Sequence, residues 1–266
     1  MIRIYSAEEI ELIRESSLFV GKTLAEVAKH IDTGVKTITL NEIAEQYIHS
    51  IGASPSFKGY EGFPYTLCIS VNETVVHGFP SEYELKDGDI VSIDCGVYKN
   101  GFHGDSAYTF AVGQVSEDRK RLMEVTKQSL YDGIEQAKAG NRIGDIGHAV
   151  QSLCEGNGYG VVRDLIGHGV GAHLHEKPDV PNVGKQGNGK RLQEGMVIAI
   201  EPMITMGTYK VNWAKDGWGV FTQDGMPAAH YEHDVVIRKG QAEILSSFEM
   251  IEKILLERNM YFPKNK

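Results

Sequence analysis

The 266-residue sequence has three cysteines, Cys68, Cys95 and Cys154, an odd number with no Cys-x-x-Cys pair. That argues against a disulfide framework and a cysteine zinc site, and leaves each thiol as a small buried apolar group. Nowhere does an apolar run approach the roughly 18 to 20 residues needed to cross a bilayer, so a membrane-spanning helix is excluded. The opening segment, MIRIYSAEEIELIRESS, is charged and amphipathic and lacks the apolar stretch and cleavage site of a secretory leader. A cytoplasmic location is the expectation. Positive charge is also scarce: 27 Lys and Arg face 36 Asp and Glu, a net charge of -9, and no basic block interrupts the balance. Direct nucleic-acid readout, which relies on neutralising phosphates, is disfavoured. Ordinary apolar content remains, enough for one large core or two fused halves.

Two stretches of the chain rhyme. LKDGDIVSID at 85–94 and LQEGMVIAIE at 192–201 align without gaps, each a leucine, a polar residue, an acid and a glycine leading into an apolar run that ends in a carboxylate. Each reads as a turn entering a buried strand. Upstream of the first copy, SAEEIELIRESSLFVGKTLAEVAKHI has helical spacing of Ile10, Ile13, Leu18, Leu24, Val27 and Ile31, with Ser6 and Glu9 placed as a capping box. LNEIAEQYIHSIG follows as a second helix. Upstream of the second copy, residues 117–139 predict a long helix ended by Gly140, and IGDIGHAVQSLCEGNG a shorter one. Helix, helix, strands, twice over, predicts an α+β fold as a single domain of two pseudo-symmetric halves, about 1–113 and 114–246, with a C-terminal tail over 247–266. The seam between the halves is the natural place for a site.

Carboxylates converge on that seam. Asn100-Gly101 is a strong hairpin signal, because a type I′ turn needs positive φ at both positions. With Lys99 facing Phe102, Asp94 faces Ala107, and Asp105 is its diagonal neighbour on the same face. Glu201 is the repeat counterpart of Asp94, and Glu232 lies within the strand-like AHYEHDVVI. Single acids at strand ends commonly cap turns. Four on one buried face demand a raised pKa or cations between them, and two divalent ions balance the charge. The segment DLIGHGVGAHLHEKP adds His168, His173 and His175. Glycines around His168 let the backbone pass close to a metal, which suits it as the nitrogen ligand. Oxygen ligands with one imidazole and no thiolate favour manganese, iron(II), cobalt or zinc.

These residues in this order, within NETVVHGFP, IDCGVYKNGFHGD, GHGVG...HLHE, IEPM and KDGWGV...YEH, resemble the methionine aminopeptidase family, the dinuclear-metal enzymes of the pita-bread fold. The likeness runs from the first helix to about residue 246, and the short stretch from Glu201 to Glu232 and the start close to the first helix are similar to the bacterial type I plan. The resemblance implies that Asp94 chelates one metal, Asp105 and Glu232 bridge both, and His168 and Glu201 complete the other shell. It implies removal of N-terminal methionine from nascent chains with a small second residue, by attack of a metal-bridging water or hydroxide on the first peptide bond. Glu201 would shuttle the proton, His175 contact the substrate carbonyl or scissile amide, and His77 hydrogen-bond the substrate from the other side; His173 has no role. Tyr60, Phe63, Cys68, Leu174 and Trp218 would form the methionine pocket, where rings and sulfur suit a thioether. The sequence departs from the family at Phe63, where tyrosine is frequent, at Leu174, where an aromatic is frequent, and at Glu61, where histidine is common. A monovalent cation near Asn72, contact with the ribosome exit region and a monomeric state are further implications. Since the sequence begins Met1-Ile2, it is expected to keep its own methionine.

Other readings compete. GHGVGA at 167–172 fits a dinucleotide fingerprint, but that must open a helix, and Pro178 and Pro181 follow. His175-Glu176 resembles the start of a zinc-protease helix, but Asp179 stands where the second histidine belongs. The enzyme alternative is a proline-directed metallopeptidase of the same fold, whose members usually carry an extra N-terminal domain. The remaining alternative is a non-catalytic pita-bread binding protein, which the complete ligand set opposes.

Overall fold

A computed structural model of the chain describes residues 2–264; Met1, with the expectation attached to it, and the last two residues of the tail lie outside them. Five helices are described: α1 (Ala7–Ala28), α2 (Thr37–Ser50), α3 (Glu117–Gln136), α4 (Ile143–Gly156) and α5 (Glu249–Glu257). α1 begins at the capping box: Ser6 Oγ accepts the Glu9 N–H at 3.3 Å, and the Glu9 carboxylate accepts the Ser6 N–H at 2.9 Å. Its buried stripe of Ile10, Ile13, Val20, Leu24 and Val27 packs on a hairpin of Ile90–Lys99 and Phe102–Ala111. The approach is close enough to require glycine at 104, because a β-carbon there would run into the backbone of Ser16 and Ser17.

Asn100 and Gly101 make the hairpin turn with φ of 52° and 89°, and the register pairs Lys99 with Phe102, Asp94 with Ala107 and Gly96 with Asp105. This hairpin joins Ser54–Pro55 and Leu67–Val71 in one sheet; a second sheet runs Glu243–Ile244, His233–Val236, Val197–Ile200, Gly167–Gly169, Glu176–Val180. The paired strands are antiparallel in both sheets. The α+β class follows.

Each acid-ended strand is entered through the same clip. Gly34 N–H donates to Leu85 O and Leu85 N–H to Val35 O, at 2.7 and 2.9 Å, just before α2. Gly140 N–H donates to Leu192 O and Leu192 N–H to Asn141 O, at 3.0 and 2.8 Å, just before α4. Sequence and backbone therefore repeat together.

Three elements differ from the sequence reading. α3 stops at Gln136 instead of 139, because Ala137 leaves helical geometry and the next residues pair with Arg238. AHYEHDVVI is not one strand: Ala228–His230 pairs with Met203–Thr205, and His233–Val236 pairs with Val197–Ile200, with a break at Tyr231 and Glu232 between them. The tail beyond 246 contains α5, which packs on α1 and ends with Arg258 donating to Ala28 O and Ile31 O at 2.6 and 2.8 Å. Ala28 O is one of the last carbonyls of α1, which a helix leaves over, and Ile31 O lies just beyond its end. Among the described residues no helix is long and apolar enough to cross a membrane.

Candidate metal centre

Two facing breaks present two of the acids. Ile200 pairs with His233 and Met203 with His230, so the register carried across the gap sets Glu201 opposite Glu232. Pro202, with no N–H to donate, follows Glu201 where that ladder stops. The hairpin supplies the other two acids, and its outer edge is stitched to the same break. Glu232 N–H donates to Ala107 O at 3.0 Å, Ser106 Oγ to Glu232 O at 2.6 Å, and Thr109 Oγ1 to His230 O at 2.7 Å. This seam brings Asp105 beside Glu232.

The ligand atoms of Asp105, His168 and Glu232 lie within 4.8 Å of one another. His168 Nε2 is 3.5 Å from Glu201 Oε1 and 3.9 Å from Asp105 Oδ2. Asp94 lines the same cavity, and its charge acts on Asp105, Glu201 and Glu232. Since the Gly169 carbonyl can only accept, the contact at 2.9 Å fixes the proton of His168 on Nδ1 and leaves Nε2 a free lone pair. Burial pushes the His168 pKa down to about 3, so the ring is neutral and able to ligate.

The acids are held in an unfavourable state without a cation. Burial pushes Asp94 up to about 7, and burial with the charge of their neighbours raises Asp105, Glu201 and Glu232 well above the carboxylate range. Asp94 Oδ1, Asp105 Oδ1 and Glu232 Oε1 are buried and have no hydrogen-bond partner. Orphaned buried oxygens are costly, and divalent cations among them would remove both penalties. An oxygen-rich set with one imidazole fits such ions.

A cavity of about 330 Å³ opens from these acids and is lined also by His77, His175, Tyr60, Phe63, Cys68, Leu174 and Trp218. The five candidate divalent-metal ligands and every residue singled out for substrate contact border it. Phe63, Cys68 and Leu174 form an apolar cluster with Phe57, against which Tyr60 and Trp218 pack. The Phe63 and Trp218 rings meet edge-on at 5.1 Å. Burial raises the Cys68 thiol well above its usual range, so it is an apolar wall and not a thiolate ligand. Trp218 comes from a hairpin whose Val220 pairs with Val76, next to His77, while Asp216 Oδ1 accepts the Trp218 and Gly219 N–H groups at 2.8 and 3.0 Å.

His77 is pushed down to about 4 by burial, and His175, edge-on to the His168 ring at 4.3 Å and to Tyr60 at 5.0 Å, is lowered for the same cause. Both rings are neutral near pH 7. His173 is exposed, does not line the cavity and contributes its backbone, its N–H donating to Glu176 at 2.8 Å. The GHG stretch is a strand, Gly167–Gly169, and not a helix start, as dinucleotide binding would need.

Asn72 does not line this cavity but borders a separate one. Its side-chain oxygen accepts Arg119 Nη1 at 2.6 Å and Ile90 N–H at 3.2 Å, and its carbonyl accepts Ala228 N–H at 2.8 Å. The Arg119 guanidinium thus stands beside it. Two polar residues escaped the sequence reading: His230, whose buried, unpartnered Nε2 is 3.7 Å from Glu201 Oε2, and the fully buried Asp234. Both lie two positions from Glu232, the spacing that shares one face of an extended chain, and that alternation was the available signal.

The sequence profile of metallopeptidase family M24 matches residues 11–239. The chain belongs to metallopeptidase family M24. Within it, the methionine aminopeptidase of Clostridium perfringens is 51% identical over 246 residues, 92% of this chain and 99% of that one. A crystal structure of methionine aminopeptidase from Thermotoga maritima, 42% identical, superposes with a TM-score of 0.91 and covers 93% of this chain and 100% of that one. The prolidase of Pyrococcus furiosus, also of this fold, is 25% identical with a TM-score of 0.75, and the match takes in only 65% of its length.

Proposed function

We propose that the chain is a metal-dependent aminopeptidase that removes N-terminal methionine from nascent polypeptides with a small second residue. The observation that carries this is the union, in one cavity, of unpartnered carboxylate oxygens and an aromatic, sulfur-containing recess. Asp94, Asp105, His168, Glu201 and Glu232 would hold two divalent cations, of cobalt, manganese, iron(II) or zinc. When bound, such a pair lowers the pKa of a water and polarises a carbonyl.

The chain's own groups do the rest. The recess of Tyr60, Phe63, Cys68, Leu174 and Trp218 takes the methionine side chain and excludes water from the scissile bond. His77 and His175, neutral at pH 7, offer N–H donors to the substrate carbonyl and amide without adding positive charge of their own. Glu201 takes the proton of the attacking water and passes it to the departing amine, since it is the acid whose oxygens also face His168 and His230.

Residues 1–113 and 114–246 serve as the two halves of one domain, acting as a cytoplasmic monomer on chains near the ribosome exit. A monovalent cation near Asn72 belongs to this reading as well, beside the Arg119 guanidinium that donates to the Asn72 side-chain oxygen. After chelation and return of cobalt or manganese, Met-Ala-Ser should be cleaved and Ala-Pro-Phe left intact. Cleavage of the proline peptide instead would favour the prolidase-like reading, and cleavage of neither would end the enzyme reading.

A further inference from the structure

Asp234 is fully buried and stands outside the proposed ligand set, two residues beyond Glu232 in the strand His233–Val236. Its Oδ2 accepts the backbone N–H of Asp105 at 2.7 Å and the Ser17 hydroxyl at 2.7 Å, while its Oδ1 has no partner. Ser17 Oγ also lies 3.0 Å from Ile13 O in its own helix, but the carboxylate is nearer and the stronger acceptor. Asp105 N–H points from the outer edge of the hairpin, which among the described residues is joined to the 230–232 segment by single bonds and not by a paired strand. The Asp234 side chain therefore takes the place of a strand acceptor and ties α1 to the backbone that carries Asp105.

A neutral acceptor would satisfy that N–H equally well. A carboxylate beside Asp94, Asp105, Glu201 and Glu232 is the costly choice, since buried like charges repel. The cost is offset if cations held by the neighbouring acids feel the extra charge. We propose that Asp234 is a positioning residue of the metal centre, fixing Asp105 through its backbone and tightening the hold on divalent cations without touching them. This rests on the metal-centre reading above.

The test is calorimetric titration of Mn(II) into the chelated full-length chain, with thermal melting of the metal-free protein alongside. Asp234→Asn keeps an acceptor oxygen and removes the charge, so it should weaken Mn(II) binding by about tenfold or more while the metal-free protein melts no lower than wild type. Ser17→Ala should weaken binding by about threefold. Wild-type affinity in Asp234→Asn, or a loss matched by a fall in metal-free melting temperature, overturns the proposal. If that variant does not fold, wild-type affinity in Ser17→Ala overturns it. Wild-type protein that takes up no Mn(II) overturns the metal centre itself, and this inference with it.

Discussion

Leu85 and Leu192 enter their strands through matching hydrogen bonds, yet the strands leave differently. Beyond Asp94 the first continues to Lys99, turns at Asn100-Gly101 and returns along its whole length, so one rigid hairpin supplies both Asp94 and Asp105. Beyond Glu201 the second strand is cut by Pro202, and the chain wanders through short pieces before it returns at Glu232. That excursion delivers Trp218 to the cavity. The repeated element is thus regular where it presents two of the acids, and opened where it borders the cavity with Trp218. Rigid strands position ligands better than loops do, and loops vary more easily.

The comparison breaks most sharply if the regular copy is not the metal scaffold. Asp105→Asn should lower Met-Ala-Ser turnover by at least about a hundredfold, since a ligand is lost. Near wild-type steady-state rates in that variant would remove Asp105 from the centre. The hairpin's rigidity rests on its seat against α1, so Gly104→Ala should cost about 1–3 kcal/mol in denaturant unfolding through overpacking. An unchanged midpoint would mean that α1 yields and that the scaffold is softer than its contacts suggest.

Protons and metals should compete for the acids of both copies. In the metal-free protein Asp94 lies at about 7 and Asp105, Glu201 and Glu232 are also raised, so at neutral pH the folded site holds protons that the unfolded chain would release. Raised carboxylate pKa values favour the metal-free fold as pH falls through 7 toward 4, and that advantage is lost as pH rises. Metal affinity has the opposite sign. It should weaken from pH 8 to pH 6, by about tenfold per unit for each proton displaced. Titration in buffers of different ionisation enthalpy reads the proton release directly; none released would contradict the raised values.

The open copy should answer to a different variant. Trp218→Ala is expected to raise KM for methionyl peptides by about tenfold, with metal content unchanged by elemental analysis. Loss of metal in that variant would show that the excursion supports the centre as well as the recess.

Much of this was legible in the residues. Asn-Gly sets the hairpin register by itself, because few pairs tolerate positive φ twice, and with it the meeting of Asp94 and Asp105. The capping box at Ser6 and the repeated strand entries are equally local signals. Less legible was the break at Tyr231 and Glu232, since it exists only because two sheets meet there and no turn residue marks it. The same holds for Asp234 and His230: each finds its meaning in a partner more than twenty residues away. α5 was missed because its order comes from packing on α1 and from Arg258 capping that helix. The family likeness around Asn72 implied a nearby cation, and tertiary placement adds an Arg119 guanidinium that donates to its side chain.

The most direct measurement is anomalous diffraction from crystals of the chain equilibrated with Mn(II). The expected map has two peaks between the side chains of Asp94, Asp105, His168, Glu201 and Glu232, the acids of both strand copies each touching at least one of them. No peak there, or ordered metal only elsewhere on the molecule, would contradict the account.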